Sequence, residues 1–490
     1  MKMEWKYLPA QDCYVAGNIS YCEAPANPGL QTMHIYVPAC YMKPDGQVNP
    51  EGLHTSGSGV SYTAKTVPVI LYNDIGGYSE CKPAGLIDRN KEFVEDGFVL
   101  VSIGARGRQS VDEKGNPTGK APAALVDLKA GVRWLRKHQN ELPGNYDRII
   151  SVGTSAGGAM SSLLGATGNS EYFLPYLKEI GAEMDERDDI YAAQCYCPIT
   201  DLDHADLAYE WMFQAKAVST RSARELPVAM DGFHRDLSAG LAKAYPSYIN
   251  SLSLGAELGP DGRSGSFYTG LMEKVSQSLA KFLQRNVGYA ESLVEELNAG
   301  TDLICWDGES AGITDLDKYV RVFIGRMKPC PSFDGLSLET FENQEFGTAD
   351  SPREHFSAAT AKIFGQLQDG VLNGAASEDT PAKTAAQETA VPESPIPEKW
   401  GISPEMSDRA RHFNPLYYLL APEKESDIAP HYRIRLGSKD ADTSFGISYS
   451  LYLALQYAGI DADYALVWGL GHCNADYPGE FAAWVESICG

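Results

Sequence analysis

The sequence predicts an α/β fold in which a mostly parallel sheet, covered by helices on both faces, is interrupted by one long insertion. Three observations predict it. Compact strand-like runs alternate with helix-like ones over the first two hundred residues or so, a strand-turn-helix pattern surrounds Ser155, and regular strands stop after Asp201 to return only near the C-terminus.

The elements follow in order. Residues 31–38 (QTMHIYVP) and 67–73 (VPVILYN) are β-branched and aromatic, and residues 98–103 (FVLVSI) and 148–152 (RIISV) are apolar runs as long as a buried strand. Leu125, Leu128, Val132 and Leu135 recur between them at helical spacing. This β-α-β-α order requires parallel neighbours with both faces covered. A further apolar run, 190–199, ends in the acidic stretch that begins at Asp201. Beyond it Leu271, Val275, Leu279 and Phe282 mark a helix. Residues 370–399 are rich in Ala, Pro, Glu, Ser and Thr, cannot bury enough surface to offset ordering entropy, and are expected to form a mobile loop. Strand-like residues return at 432–436 and 464–467, with a helix-like segment between. The expected organisation is therefore core 1–202, inserted lid 203–412 and core 413–490.

Composition narrows the function classes. An apolar content of 43% over 490 residues supports a sizeable core. A formal charge of −24 repels phosphate backbones and anionic lipid, so neither nucleic acid nor membrane is an expected partner. No apolar run reaches the roughly 20 residues of a membrane span, and Met1–Tyr7 has no signal-like apolar region, so a cytoplasmic protein is expected. Ten cysteines at this density are expected to be reduced thiols. Cys195 and Cys197 form a C-x-C with no partner pair at zinc spacing and read as small buried hydrophobes. Asp201, Asp203, His204 and Asp206 lack the glycine turn and bidentate Glu of a calcium loop and read as a hinge into the insertion. No metal and no cofactor are expected.

The pentapeptide G-x-S-x-G occurs twice, at Gly153–Gly157 and at Gly308–Gly312. A nucleophile elbow needs a buried strand, a sharp turn and a helix beginning at once. Ile149, Ile150 and Val152 precede Ser155 and a small-residue run follows it, whereas Ser310 sits among polar residues before a helix N-cap region. Ser155 is the expected nucleophile, in the elbow of an α/β-hydrolase fold, and Ser310 a polar loop. That fold orders its triad Ser, then acid, then His. His472, in Gly469–His472 directly after a strand, is the expected base. Asp440 and Asp442 follow the preceding strand and both qualify as the acid by residue type. Gly76 or Gly77, after the 67–73 strand, together with Ala156, would donate backbone N–H groups to an oxyanion, although a plain turn explains the two glycines equally well without Ser155. Ser155 needs His472 to take its proton, and a carboxylate to fix the imidazole tautomer.

These residues, with a large insertion between strands, resemble the bacterial tannases, α/β-hydrolases that cleave galloyl esters. The resemblance covers most of the chain, including the segments around 31–38, 73–78, 153–158 and 437–443. It implies that Asp440 is the acid, because the 32-residue step to His472 matches the family spacing. It also implies that Lys328, Glu342 and Asp442 hold the galloyl hydroxyls. Without it, Lys328 and Glu342 read as solvated surface. Fungal tannases and related feruloyl esterases join a Cys before the Ser to a Cys after the His. Here Thr154 precedes Ser155 although Cys473 follows His472, so that bridge cannot form and the bacterial type is implied. The expectation is a serine esterase acting on small phenolic gallate esters. The alternatives are a feruloyl or other carboxylesterase, and a non-catalytic binding protein, whose usual mark of a missing triad member is not found.

Overall fold

The computed structural model describes residues 3–214, 232–369 and 401–490; the 370–399 segment expected to be a mobile loop lies outside them. Among the described residues the central sheet has nine strands: β1 Lys6–Leu8, β2 Cys13–Ser20, β3 Thr32–Pro38, β4 Pro68–Asn73, β5 Val99–Ile103, β6 Asn145–Thr154, β7 Ala192–Tyr196, β8 His431–Gly437 and β9 Asp461–Val467. Their spatial order is β1-β2-β3-β5-β4-β6-β7-β8-β9. Strands β4 to β9 pair in parallel, while β1, β2 and β3 form an antiparallel edge. This is the α/β-hydrolase arrangement.

The apolar runs of the sequence became these strands because both sheet faces are covered. Every residue of β4, β5 and β7 is buried. The antiparallel strands β1 and β2 were not anticipated. The alternation of β2 is broken by a register shift between Ala16 and Ile19, where Asn18 takes a φ of 55°. Helix α1, Ala123–Lys137, buries Leu125, Leu128, Val132 and Leu135 as expected, and it also buries Asp127, Lys129 and Arg133. Those charges are paired inside. Asp127 meets Arg106 at 2.8 Å, and Lys129 and Arg133 share Asp188 at 2.7 and 2.6 Å.

Between β7 and β8 no described residue adds a strand to the central sheet. The chain instead forms helices, among them α3 Leu202–Phe213, α4 Gly232–Ser251 and α5 Gly265–Arg285, and a hairpin of Ile304–Trp306 with Ala311–Ile313. In α5, Leu271, Val275 and Leu279 are buried, but Leu283 rather than Phe282 continues the core face. The insertion is fastened to the loop after β8 by two tyrosines, Tyr319 donating to Ser438 O at 2.7 Å and Tyr209 to Ala441 O at 3.0 Å. No helix among the described residues is long and apolar enough to cross a membrane. The carboxyl ends of β4, β6, β7, β8 and β9 all lie on one edge of the sheet, the edge where open parallel sheets carry their sites.

Candidate active site

Strand β6 runs directly into α2, Ala156–Ala166, through Ser155, whose backbone sits at φ 60°, ψ −122°. This is a conformation that residues bearing a Cβ avoid. The neighbours permit it only as glycines. A Cβ on Gly153 would lie 2.3 Å from Gly157 O, one on Gly157 would lie 2.6 Å from Asn73 Oδ1, and one on Gly158 would lie 2.4 Å from Tyr196 O. The Ser155 N–H donates to Tyr196 O at 2.9 Å, tying the turn to the next strand. Ser310 is in the hairpin turn, where its N–H donates to Asp307 Oδ1, and the helix N-cap nearby is Asp315.

Asn73, the last residue of β4, joins the elbow to the loop expected to bind an oxyanion. Its Nδ2 donates to Val152 O, Gly157 O and Ser161 Oγ at 3.1–3.3 Å. The Gly157 N–H donates to Ile75 O at 2.8 Å, fixing that loop on the first turn of α2. Among the described residues no acceptor takes the N–H of Gly76, Gly77 or Ala156. Gly77 has a φ of 54°, and a Cβ there would lie 2.6 Å from the ring of Phe341. Phe341 belongs to the insertion, and Arg108 lies 4.2 Å over its ring while donating to Gly77 O.

The loops after β8 and β9 are zipped together. Lys439 N–H donates to Leu470 O and Gly469 N–H to Ser438 Oγ, and a Cβ on Gly437 would lie 2.2 Å from Gly471 O. Asp440, fully buried, accepts the N–H groups of Asp442 and Thr443 on Oδ1 and pairs through Oδ2 with His472 Nδ1 at 2.8 Å. Asp440, not Asp442, therefore partners His472. Burial alone would lower the imidazole, but the charge and hydrogen bond of Asp440, helped by Cys197, raise His472 above the ordinary histidine value. No hydrogen bond joins Ser155 Oγ to His472 in this conformation, as is common before substrate tightens such sites. The base loop and the elbow are linked through the Thr154 hydroxyl, which donates to Asn474 Oδ1.

Asp442 faces elsewhere. With Ile199, Asp206, Tyr209, Lys328 and Glu342 it lines a small cavity. Lys328 Nζ is 3.7 Å from Glu342 Oε1, and Glu342, next to Phe341, is almost buried. The three residues expected to hold a phenolic ring are thus brought together, one from the core and two from the insertion. Residues missed in the sequence reading are Ile199, Tyr209, Phe341, Asp206 and Cys197. By sequence Asp206 groups with the hinge carboxylates. It lies in the cavity wall, where burial, outweighing hydrogen bonds from Ser332 and joined by Glu342 and Glu210, pushes its carboxyl up to about 7. Asp201 accepts from His204 and Asn414, a junction within the structure.

The BD-FAE family model matches residues 61–222. Tannin acyl hydrolase from Lactobacillus plantarum has a TM-score of 0.78 at 30% identity, covering 100% of this chain and 97% of that one. The Fusobacterium nucleatum tannase is 32% identical over 98% of this chain and 95% of its own, with a TM-score of 0.76. The chain belongs to the tannase family of carboxylic ester hydrolases. A tannin acyl hydrolase in complex with ethyl gallate is similar to the same extent, with 31% identity, coverage of 100% and 97%, and a TM-score of 0.77. Carboxylesterase patB from Aspergillus clavatus is 30% identical over 125 residues, 23% of this chain and 20% of that protein. The match to that curated relative thus spans about a fifth of its length.

In this tannase-family elbow the two glycine environments differ sharply. Gly157→Ala places a methyl 2.6 Å from Asn73 Oδ1, whereas Gly76→Ala meets nothing within 4 Å. Overpacking of this kind costs about 1–3 kcal/mol. For a chain of 490 residues the thermal midpoint is expected to fall by about 1–3 °C for Gly157→Ala and hardly at all for Gly76→Ala, and equal midpoints would contradict the packing described.

Proposed function

We propose that this chain is a serine esterase that cleaves galloyl esters through an acyl-Ser155 intermediate. The observation that carries the reading is the convergence of Lys328, Glu342 and Asp442 on one cavity, with Asp442 only two residues beyond the carboxylate that pairs with His472. A trihydroxyphenyl ring presents several hydroxyls at one end, and two carboxylates with an ammonium can satisfy them together.

Ser155 Oγ attacks the ester carbonyl carbon while His472 takes its proton. The developing oxyanion is held by the N–H of Ala156 and of Gly76 or Gly77, all uncommitted here. As the acyl–oxygen bond breaks, His472 returns the proton to the leaving alcohol. Water then repeats the sequence and releases the acid. Asp440 holds Nδ1 and stabilises the imidazolium. Such a pocket rejects rings lacking the hydroxyls, because its buried polar groups would stay unpaired. The carboxylesterase relative supports a second reading, an esterase of plainer acyl groups using the same serine. All ten cysteines are free, and we propose a reducing, cytoplasmic setting with a small phenolic ester as the partner.

A substrate panel separates the readings. The protein should be labelled at Ser155 by a fluorophosphonate, with no labelling of Ser155→Ala, and should release gallate from methyl gallate. Lys328→Ala and Glu342→Ala should each lower kcat/KM for methyl gallate by about 10–100-fold, the cost of a buried group left unpaired. Hydrolysis of p-nitrophenyl acetate should change little. Turnover of p-nitrophenyl acetate without any release of gallate would sink the galloyl reading and leave the plainer esterase.

The pH profile tests the base. His472 must be neutral to take a proton, and its raised affinity for protons keeps it charged to higher pH. The acid limb of kcat/KM is therefore expected above the ordinary histidine value of about 6.5. Asp440→Asn should move that limb down and lower kcat by roughly 10⁴-fold. A limb that stays in place in Asp440→Asn would remove Asp440 from this role.

A further inference from the structure

Three side chains of different ligand chemistry converge at the sheet edge. Cys197 Sγ, a carboxylate oxygen of Asp440 and a ring nitrogen of His472 all lie within 4.8 Å of one another. They follow three adjacent strands, β7, β8 and β9, so the sheet itself sets their spacing. Each is held. Cys197 has a φ of 36° and donates its N–H to Arg435 O at 2.7 Å, and its thiol donates to Cys473 O at 3.3 Å. The Asp440 carboxylate is fixed by two backbone amides, and His472 by Asp440. Cys197 and Asp440 are fully buried, and His472 is partly open to solvent. Cys195, two residues earlier, lies within β7 and takes no part.

We propose that this thiol–imidazole–carboxylate trio is a binding site for a soft divalent cation, Zn²⁺ in particular, which occupies the base of the catalytic site and silences it. Zn²⁺ binds sulfur at about 2.3 Å, imidazole nitrogen at about 2.0–2.1 Å and carboxylate oxygen at about 2.0–2.2 Å, which puts tetrahedral ligands roughly 3.3–3.7 Å apart. Side chains already within 4.8 Å need small movements to reach that spacing. The thiolate selects Zn²⁺ or a softer ion over Mg²⁺ and Ca²⁺. As the metal–sulfur bond forms, the Cys197 proton leaves to bulk water. A charged His472 likewise releases one ring proton to bulk water, and the ring nitrogen so freed donates its lone pair to the metal while solvent fills the fourth position. A His472 held in this way cannot take the Ser155 proton, so the silencing rests on the proposed esterase mechanism. The binding does not.

Cobalt(II) reports on the site independently of catalysis. Addition of Co²⁺ to the full chain should produce a near-ultraviolet thiolate-to-cobalt charge-transfer band, displaced by Zn²⁺. The band should be lost in Cys197→Ala and Cys197→Ser, and kept in Cys305→Ala and Cys473→Ala, which remove the exposed thiols. The Zn²⁺ X-ray absorption spectrum of the unmutated protein should show one sulfur at about 2.3 Å and the remaining ligands at about 2.0–2.2 Å, a result no folding defect can mimic. Half-inhibition of p-nitrophenyl acetate hydrolysis should need at least about tenfold more Zn²⁺ in Cys197→Ala than in the unmutated protein, that is, a weakening of at least about 1.4 kcal/mol. A shell of nitrogen and oxygen alone, or a band that survives in Cys197→Ala, overturns the proposal whatever the esterase assays show. A missing fluorophosphonate adduct would instead overturn the serine mechanism and leave the metal site standing.

Discussion

Ser155 occupies a backbone conformation that costs on the order of 1–3 kcal/mol for a residue with a Cβ, and it is held there by what surrounds it. The arrangement of the whole catalytic edge follows from that constraint. For the strand to turn into the helix within one residue, Gly153, Gly157 and Gly158 must give up their side chains to backbone and Asn73 contacts. Asn73 can make those contacts only because it ends the strand beside β6. The same close approach brings the 75–77 loop onto the first turn of α2 and leaves the N–H groups of Gly76, Gly77 and Ala156 without acceptors on one edge of the sheet. The strain at one residue and the unspent donors beside it are two results of one packing arrangement.

The neighbouring carboxylates show how a single turn separates chemical roles. Asp440 and Asp442 are two residues apart, yet Asp440 spends one oxygen on the amides of Asp442 and Thr443 and the other on His472. That turn sends the Asp442 side chain to the cavity wall with Lys328 and Glu342. Residue type and spacing did not distinguish the two, because the difference lies in which backbone amides each oxygen meets. The resemblance to the bacterial tannases implies Asp440 as the acid, and the hydrogen bonds put that carboxylate rather than Asp442 against His472.

The buried strands were legible because parallel strands covered on both faces are nearly continuous apolar runs, and residues 67–73 and 98–103 are of that kind. Strand β2 was not, since a bulge at Gly17–Asn18 breaks its alternation. The order Ser155, Asp440, His472 was readable because it follows the order of strand ends. Long-range partners were not readable. Nothing local marks Lys129 and Arg133 as buried beside Asp188, or Asp206 as a wall of the cavity rather than a member of an acidic hinge. By sequence Cys197 reads as a small buried hydrophobe. It is indeed buried, but it follows the last residue of β7 and so lies beside His472 rather than inside the sheet. A residue just past the carboxyl end of a central strand deserves a chemical reading even when its type suggests packing.

The insertion and the core divide the work unevenly. Every group that touches the scissile ester in the proposed mechanism comes from the core, while Lys328 and Glu342 come from the insertion and Asp442 joins them from the core. Tyr319 and Tyr209 hydrogen-bond to Ser438 O and Ala441 O, on either side of Asp440. Phe341 lies on Gly77, so the insertion also presses on the loop proposed to supply the oxyanion donors. A displacement of the insertion would therefore disturb the Asp440 turn and the 75–77 loop together with the residues proposed to bind the ring. In the proposed mechanism, recognition of the ring is in this way mechanically coupled to the geometry of the acid and the oxyanion donors, although the insertion contributes none of the three side chains assigned to catalysis.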